Sequence, residues 1–306
     1  MNVKTLAVAL ALVSGSAMAQ PIYLNAGANY DILSQTNPGL ANPNRANGLT
    51  TTGWIDKLAF QYSSFSNILD TDGSNSLSVG DKLVSTGGVL GSGVTNVRDS
   101  LNSNLFTALN PSQNGVNGPS DNGFRNGLNL TTFSGWGLTF GFDNLTATFN
   151  GAGFSYTSGN ISAYIYNPNG TGGVIGTDLI KVMDVSVLGG GSQSENLTIV
   201  GNVDSVTNNL FNGFDVGNLF NTKIGNQTYS FKDLFAANKP IPMNFRLDTN
   251  TVPTTGLVFE NGVARVSGTH TGSASFAQPV SEPTSIAALG LALLGLGFSR
   301  RNKKAN

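Results

Sequence analysis

Between Trp136 and Tyr166 the apolar side chains fall on every second residue, which is the period of a strand with one buried face and not that of a helix. Trp136, Leu138, Phe140 and Phe142 alternate with small or polar residues; Leu145, Ala147 and Phe149 continue, then Phe154, Tyr156, Ile161, Ala163 and Ile165. Asp143-Asn144, Gly151-Ala152-Gly153 and Ser158-Gly159-Asn160 interrupt the run and read as turns, because Asn and Gly reach positive φ at low cost. Three turns at this spacing predict an antiparallel meander. The same punctuation runs through the chain, with 39 Gly, 37 Asn and 11 Pro among 306 residues, a composition that weakens helix interiors. Further strands are expected at 22–24, 54–62, 179–188, 197–201, 243–247, 256–260 and 263–270, with a hairpin turn at Asn261-Gly262. Short helices are expected at 101–109 and 231–237, and a short helix or a Phe-rich loop at 206–220.

This pattern predicts an all-β body, a single antiparallel β-sandwich of jelly-roll-like size with short helices in its loops. A membrane β-barrel shares the alternating strands and Gly/Asn loops. Against it stand a basic, hydrophobic C-terminus in place of a terminal strand and a shortage of evenly long alternating segments.

Both ends of the chain read as processing segments. Lys4, an apolar run of eight residues from Leu6 to Val13, and the small residues Ala17 and Ala19 form a signal peptide over residues 1–19, so the mature chain starts near Gln20. At the other end Glu282-Pro283 precedes thirteen apolar residues, 286–298, and then Arg300, Arg301, Lys303 and Lys304. As a helix this run is about 20 Å long, against a hydrocarbon core of about 30 Å, so it is a short anchor. The basic residues after it place the tail on the cytoplasmic side and the body outside.

Residues 279–306 resemble the PEP-CTERM sorting signal of Gram-negative bacteria in their Glu282-Pro283, their Leu/Gly/Ala-rich helix 286–298 and their Arg300-Arg301 cluster in the basic end 300–304. The resemblance covers about residues 279–304. It implies an exosortase-type processing enzyme as partner, passage through the inner membrane by way of 286–298, and a cell-surface or extracellular destination in an exopolysaccharide-rich matrix. Within the family, Glu282 and Pro283 form the recognition motif. A plain tail anchor is the other reading of the same residues.

Removing both ends takes five of the 16 basic residues and leaves an acidic body. Nucleic acid, which needs clustered Lys and Arg, is excluded as a partner. With no cysteine in the chain there is no disulfide framework, no thiol catalysis and no Cys-based metal site. The fold is held by its core or by an ion.

Asp70, Asp72, Ser74, Ser76 and Asp81 lie in a polar run that offers oxygen ligands to a structural Ca²⁺ at nearly EF-hand spacing, although Asn75 stands where that loop has Gly. The simpler reading of the same residues, and the one favoured over a metal site, is an Asx turn capping the strand that starts near Leu77. His270 is the single histidine; it sits in no nucleophile-elbow signature, cannot form a His₂ or His₃ zinc site, and reads as a surface strand or turn residue. Glu195 and Glu260 read as solvated loop charges, not as a glycosidase pair. Trp54, Trp136, Tyr156, Tyr164 and Tyr166 suit a sugar platform chemically, and suit a core better. The expected function is therefore that of a non-enzymatic exported surface or matrix protein associated with polysaccharide. The alternative is a secreted polysaccharide-active enzyme or a carbohydrate-binding adhesin held by a tail anchor.

Overall fold

Alternation becomes strands wherever the chain is described in a computed structural model, over residues 19–25, 57–91, 105–108, 137–166, 176, 178–193, 196–211, 213–248 and 255–277. In order these are β1 (Ala19–Gln20), β2 (Ile22–Leu24), β3 (Leu58–Leu69), β4 (Lys82–Gly88), β5 (Leu105–Ala108), β6 (Gly137–Phe149), β7 (Phe154–Tyr166) and β8 (Leu179–Gln193). They continue with β9 (Asn196–Val206), β10 (Leu210–Phe211), β11 (Phe214–Asp215), β12 (Phe220–Ile224), β13 (Gln227–Ser230), β14 (Pro242–Asp248) and β15 (Val263–Ala277). A 3-10 turn at Val216–Asn218 and one helix, α1 (Phe231–Ala236), complete the described elements, which lie in one compact unit, Met18–Ala277.

The main sheet is antiparallel and pairs in the order β3-β4-β6-β7-β8-β9-β14-β15, after which β15 pairs back onto β3 from Val263↔Leu69 to Ala274↔Leu58. The sheet closes into an eight-stranded barrel. Directly opposed residues Ile68, Leu83, Ala147, Tyr156, Gly190, Ile199, Phe245 and Ala274 lead once around it and back to Leu58, ten residues from the start. That stagger on eight strands means a tilt of about 40° and an interior just wide enough for side chains. The short β5 continues the ladder beyond β4, against both β3 and β6.

The pairing departs from the jelly-roll sandwich expectation. A jelly roll needs Greek-key crossovers between two sheets, whereas here each barrel strand lies beside its sequence neighbours, an up-and-down meander. Two of the three turns expected between 136 and 166 are bulges inside long strands. β6 runs through Asp143-Asn144 and β7 through Ser158–Asn160, with the register shifting between Asp143 and Thr146 and with Asn144 at φ 50°. A bulge changes the phase of alternation without reversing the chain and adds the twist a barrel requires. The turn at 150–153 is present. The expected helix at 101–109 contains β5 instead, because Leu105–Ala108 finds two strand partners. Between β9 and β12 the described residues include the paired β10 and β11 and the 3-10 turn, and 256–260 is no strand beyond the Glu260↔Val263 bridge at the Asn261-Gly262 turn. The helix expected at 231–237 is α1, its N-terminus held by a reciprocal capping box between Ser230 and Asp233.

One face of every barrel strand is apolar and points inward. Phe60, Tyr62, Phe140, Phe142, Phe245 and Ile199 are all buried, with ring centroids 5.1 Å apart for Phe60–Phe140 and 5.6 Å for Tyr62–Phe140 and Tyr62–Phe142. These rings use the space left by Gly87 and Gly272, where a Cβ would meet Phe142 at 2.3 Å and Phe60 at 2.6 Å. The cavity left among them is about 20 Å³, room for one water at most. Outward positions are polar, as on β15, where Arg265, Ser267, Thr269 and Thr271 are exposed. A membrane barrel has the opposite arrangement, apolar outside and polar within.

The connection from β9 to β14 covers one end of the barrel. There β12 and β13 form a hairpin, and β2 pairs on the other side of β12. Phe220, Phe231 and Phe276 pack as a cluster with centroids 4.7–5.7 Å apart, beside the fully buried Ile22 and Leu24.

Candidate functional site

The acidic loop joins β3 to β4 at the end of the barrel opposite the β12–β13 hairpin. Its carboxylates converge: Asp70, Asp72 and Asp81 each place an oxygen within 4.8 Å of the others. Asp81 is fully buried, and accepts from the Thr71 N–H (2.8 Å), the Thr71 hydroxyl (3.1 Å) and the Ser78 N–H (2.8 Å). Asp70 accepts through Oδ1 from the Gly73 N–H (2.8 Å) and through Oδ2 from the Asn75 N–H (2.8 Å). Asp72 accepts from the Ser74 N–H (3.0 Å) and the Ser78 hydroxyl (2.9 Å). Ser74 donates to the Ser76 carbonyl, and Asn75 takes φ 53° in the place where an EF-hand has Gly. The loop is thus a nest of Asx turns around three carboxylates. It precedes Lys82, where β4 starts, not a strand near Leu77. Backbone ties fix it to the barrel rim: Asp70 N–H to Gly262 C=O at 2.9 Å, Gly80 N–H to Phe149 C=O at 2.9 Å.

Hydrogen bonding from Ser74, chiefly, and from Ser78 lowers the Asp72 carboxyl to a pKa of about 2. Its folded value lies below that of a free aspartate, so whatever stability it contributes is complete above about pH 4 and is lost as pH falls through about 2. An NMR titration of Asp72 should show its carboxyl midpoint near 2; a midpoint near 4 would mean the Ser74 and Ser78 bonds do not form in solution.

The first and last described strands, β1 and β15, pair at the other end of the barrel. Where β3 stops, at Leu58↔Ala274, β1 continues the same edge of β15 with Gln20↔Phe276 and Ala19↔Ala277. Ala19 and Gln20, the residues flanking the expected signal cleavage, are therefore paired with the last residues before the expected sorting tail. Ala17, Glu282, Pro283, Arg300, Arg301 and the helix 286–298 lie outside the described residues. Among the described residues no helix is long and apolar enough to cross a membrane.

His270 is not a surface residue. It lies on the inner face of β15 at 5% exposure, with Nε2 hydrogen-bonded to the Ser64 hydroxyl at 2.7 Å and its ring 4.9 Å from that of Tyr62. The signal was in the sequence, since His270 shares the parity of Ala264 and Val266 on the same strand. The neighbouring Ser66 and Ser85 hydroxyls are bonded at 2.6 Å. Burial pushes the Tyr62 and Tyr156 hydroxyls well above the usual tyrosine range. This buried Ser–His pair lies against the ring of Tyr62.

Of the aromatic residues considered for sugar stacking, Tyr156, Tyr164 and Tyr166 are buried, and Trp54 and Trp136 lie outside the described residues. Glu195 also lies outside them, and Glu260 is exposed beside the Asn261-Gly262 turn. On the outer face Asp184 gathers the hydroxyls of Ser162 and Ser205 and the ammonium of Lys181, 2.9 Å away. Burial raises its pKa, but these bonds outweigh burial and hold the carboxyl below its usual value. Ser186 and Asp204 form a further pair on the same face.

Residues 279–301 match the PEP-CTERM protein-sorting motif. The chain therefore carries this motif directly after its last described strand. No curated protein and no solved structure matches the chain.

Proposed function

We propose that this chain is an exported, exosortase-processed protein of the cell surface or extracellular matrix, and that its body is a non-enzymatic structural module in contact with hydrated polysaccharide. The observation that carries the reading is the sorting motif at 279–301, placed two residues beyond the end of β15. The signal peptide at 1–19, the inner-membrane passage through 286–298 and the body over 20–278 belong to the same reading. A polar outer face supports the passive role, since Ser, Thr, Asn and Asp side chains exchange hydrogen bonds with sugar hydroxyls as readily as with water. The interior is consistent with it: among the described residues, the space between the rings of Phe60, Tyr62, Phe140, Phe142 and Phe245 is about 20 Å³, far below the volume of a sugar ring.

The test is the intact mass of the protein recovered from its native envelope and medium. A product that starts near Gln20 and lacks 286–306 is expected. A product that keeps 286–306 overturns sorting and leaves a tail-anchored envelope protein. Separately, the body should be retarded in gels containing the matrix polysaccharide, and it should release no reducing ends from it.

A second, narrower reading is a structural Ca²⁺ at Asp70, Asp72 and Asp81 with Ser74 and Ser76, supported by the convergence of three carboxylates. The ion would use the lone pairs left free on oxygens that already accept from backbone N–H and hydroxyl donors. At a hundredfold excess over its dissociation constant it would add about 2.7 kcal/mol, raising Tm by about 5–10 °C in a body of this size. Asp72→Asn should abolish that rise. A Tm indifferent to Ca²⁺ up to millimolar concentration rejects the site.

A further inference from the structure

We infer that the first residues of the mature chain, Gln20 to Asn25, are a latch that fixes the root of the sorting tail and so sets how far into the body processing can cut. This inference rests on the sorting reading above. The edge of β15 is covered by β3 only as far as Ala274, and β14 reaches Phe276. On the edge that β3 leaves, β1 supplies the partner: Gln20 pairs with Phe276, and Ala19 pairs with Ala277 until signal cleavage removes it. Residues 21–25 hold that pairing in place. The Pro21 carbonyl accepts from the Thr222 hydroxyl at 3.0 Å, β2 pairs with β12 from Leu24↔Phe220 to Ile22↔Thr222, and the Asn25 N–H donates to the Leu219 carbonyl at 2.8 Å. Ile22 and Leu24 are 0% exposed, in a cluster that includes Phe220, Phe231 and Phe276.

Phe276 is thereby held on both edges of its strand, by backbone pairing to Met243 of β14 and to Gln20, and its ring packs on Phe220 and Phe231. The sorting motif begins at residue 279. A processing enzyme needs an extended, unpaired substrate, and the latch adds a second paired edge at Phe276, which β14 alone pairs on one side only. Cleavage is then confined to residues beyond it. Signal cleavage after Ala19 leaves the latch whole, whereas a cut a few residues later would remove it.

The experiment uses the full chain expressed in its own envelope, as wild type, Ile22→Asp and the milder Thr222→Val, which removes only the hydroxyl bonded to Pro21. Amide exchange and product masses are read on each. Wild type should give no product that ends before Phe276. Ile22→Asp should exchange at 275–277 at least tenfold faster than wild type, with β6 to β8 unchanged, and should yield additional products ending within 275–277. Thr222→Val should show the same change in smaller measure. Where Ile22→Asp loses protection throughout, Thr222→Val decides. Exchange and product ends in Thr222→Val identical to wild type overturn the latch. A wild type that retains its whole tail overturns the sorting reading, while the exchange comparison still decides the latch.

Discussion

Phe140→Ala should cost this protein about 3–5 kcal/mol, the range for removing a buried phenyl ring from a packed core, and lower Tm by about 10 °C. Phe140 is 4% exposed on β6, with its ring 5.1 Å from that of Phe60 and 5.6 Å from that of Tyr62. Inside a closed barrel the neighbours cannot collapse into the space, because each is fixed by ladders on both sides. The cost should therefore fall in the upper part of the range. Chemical denaturation of the purified body measures it, with Thr148→Ala, on the outer face of the same strand, expected within about 0.5 kcal/mol of wild type. A Phe140→Ala cost below about 1.5 kcal/mol would show that the lumen is not packed as described.

Gly88→Ala should cost about 2–5 kcal/mol, far more than its single added methyl suggests. Gly88 takes φ 62°, which costs an L-residue about 1–2 kcal/mol. A Cβ there would also stand 2.2 Å from the Phe140 carbonyl oxygen and 2.8 Å from Gly141 Cα. Both are backbone atoms, so relief requires β4 and β6 to part, and overpacking adds about 1–3 kcal/mol. Gly73→Ala separates the two causes. Gly73 is at φ 75° with nothing within 4 Å of its Cβ position, so it should lose only the conformational part, about 1–2 kcal/mol. Equal losses at the two sites, measured by thermal denaturation, would remove crowding from the account.

The acidic loop was legible as a cluster, because Asp70, Asp72 and Asp81 are close in sequence and an Asx turn is a local event. The latch was not. Ile22–Leu24 reads as a strand from its residues, but nothing in them names β12, some two hundred residues away, as the partner. His270 could be assigned to the inner face by parity, yet its bond to Ser64 depends on β15 meeting β3, which no local pattern encodes.

The sequence by itself determined that the body is β-rich and antiparallel, that Asn261-Gly262 is a turn, that 231–237 holds a helix, and that the tail carries a sorting motif. Each comes from short-range periodicity, turn chemistry or a contiguous motif. The tertiary structure decided that the sheet closes on itself, that Asp143-Asn144 and Ser158–Asn160 bend strands without ending them, and that Leu105–Ala108 is a strand. The physical reason is that a bulge and a turn use the same Asn and Gly conformations. Only the partner strand tells them apart, and closure is a property of the last ladder formed.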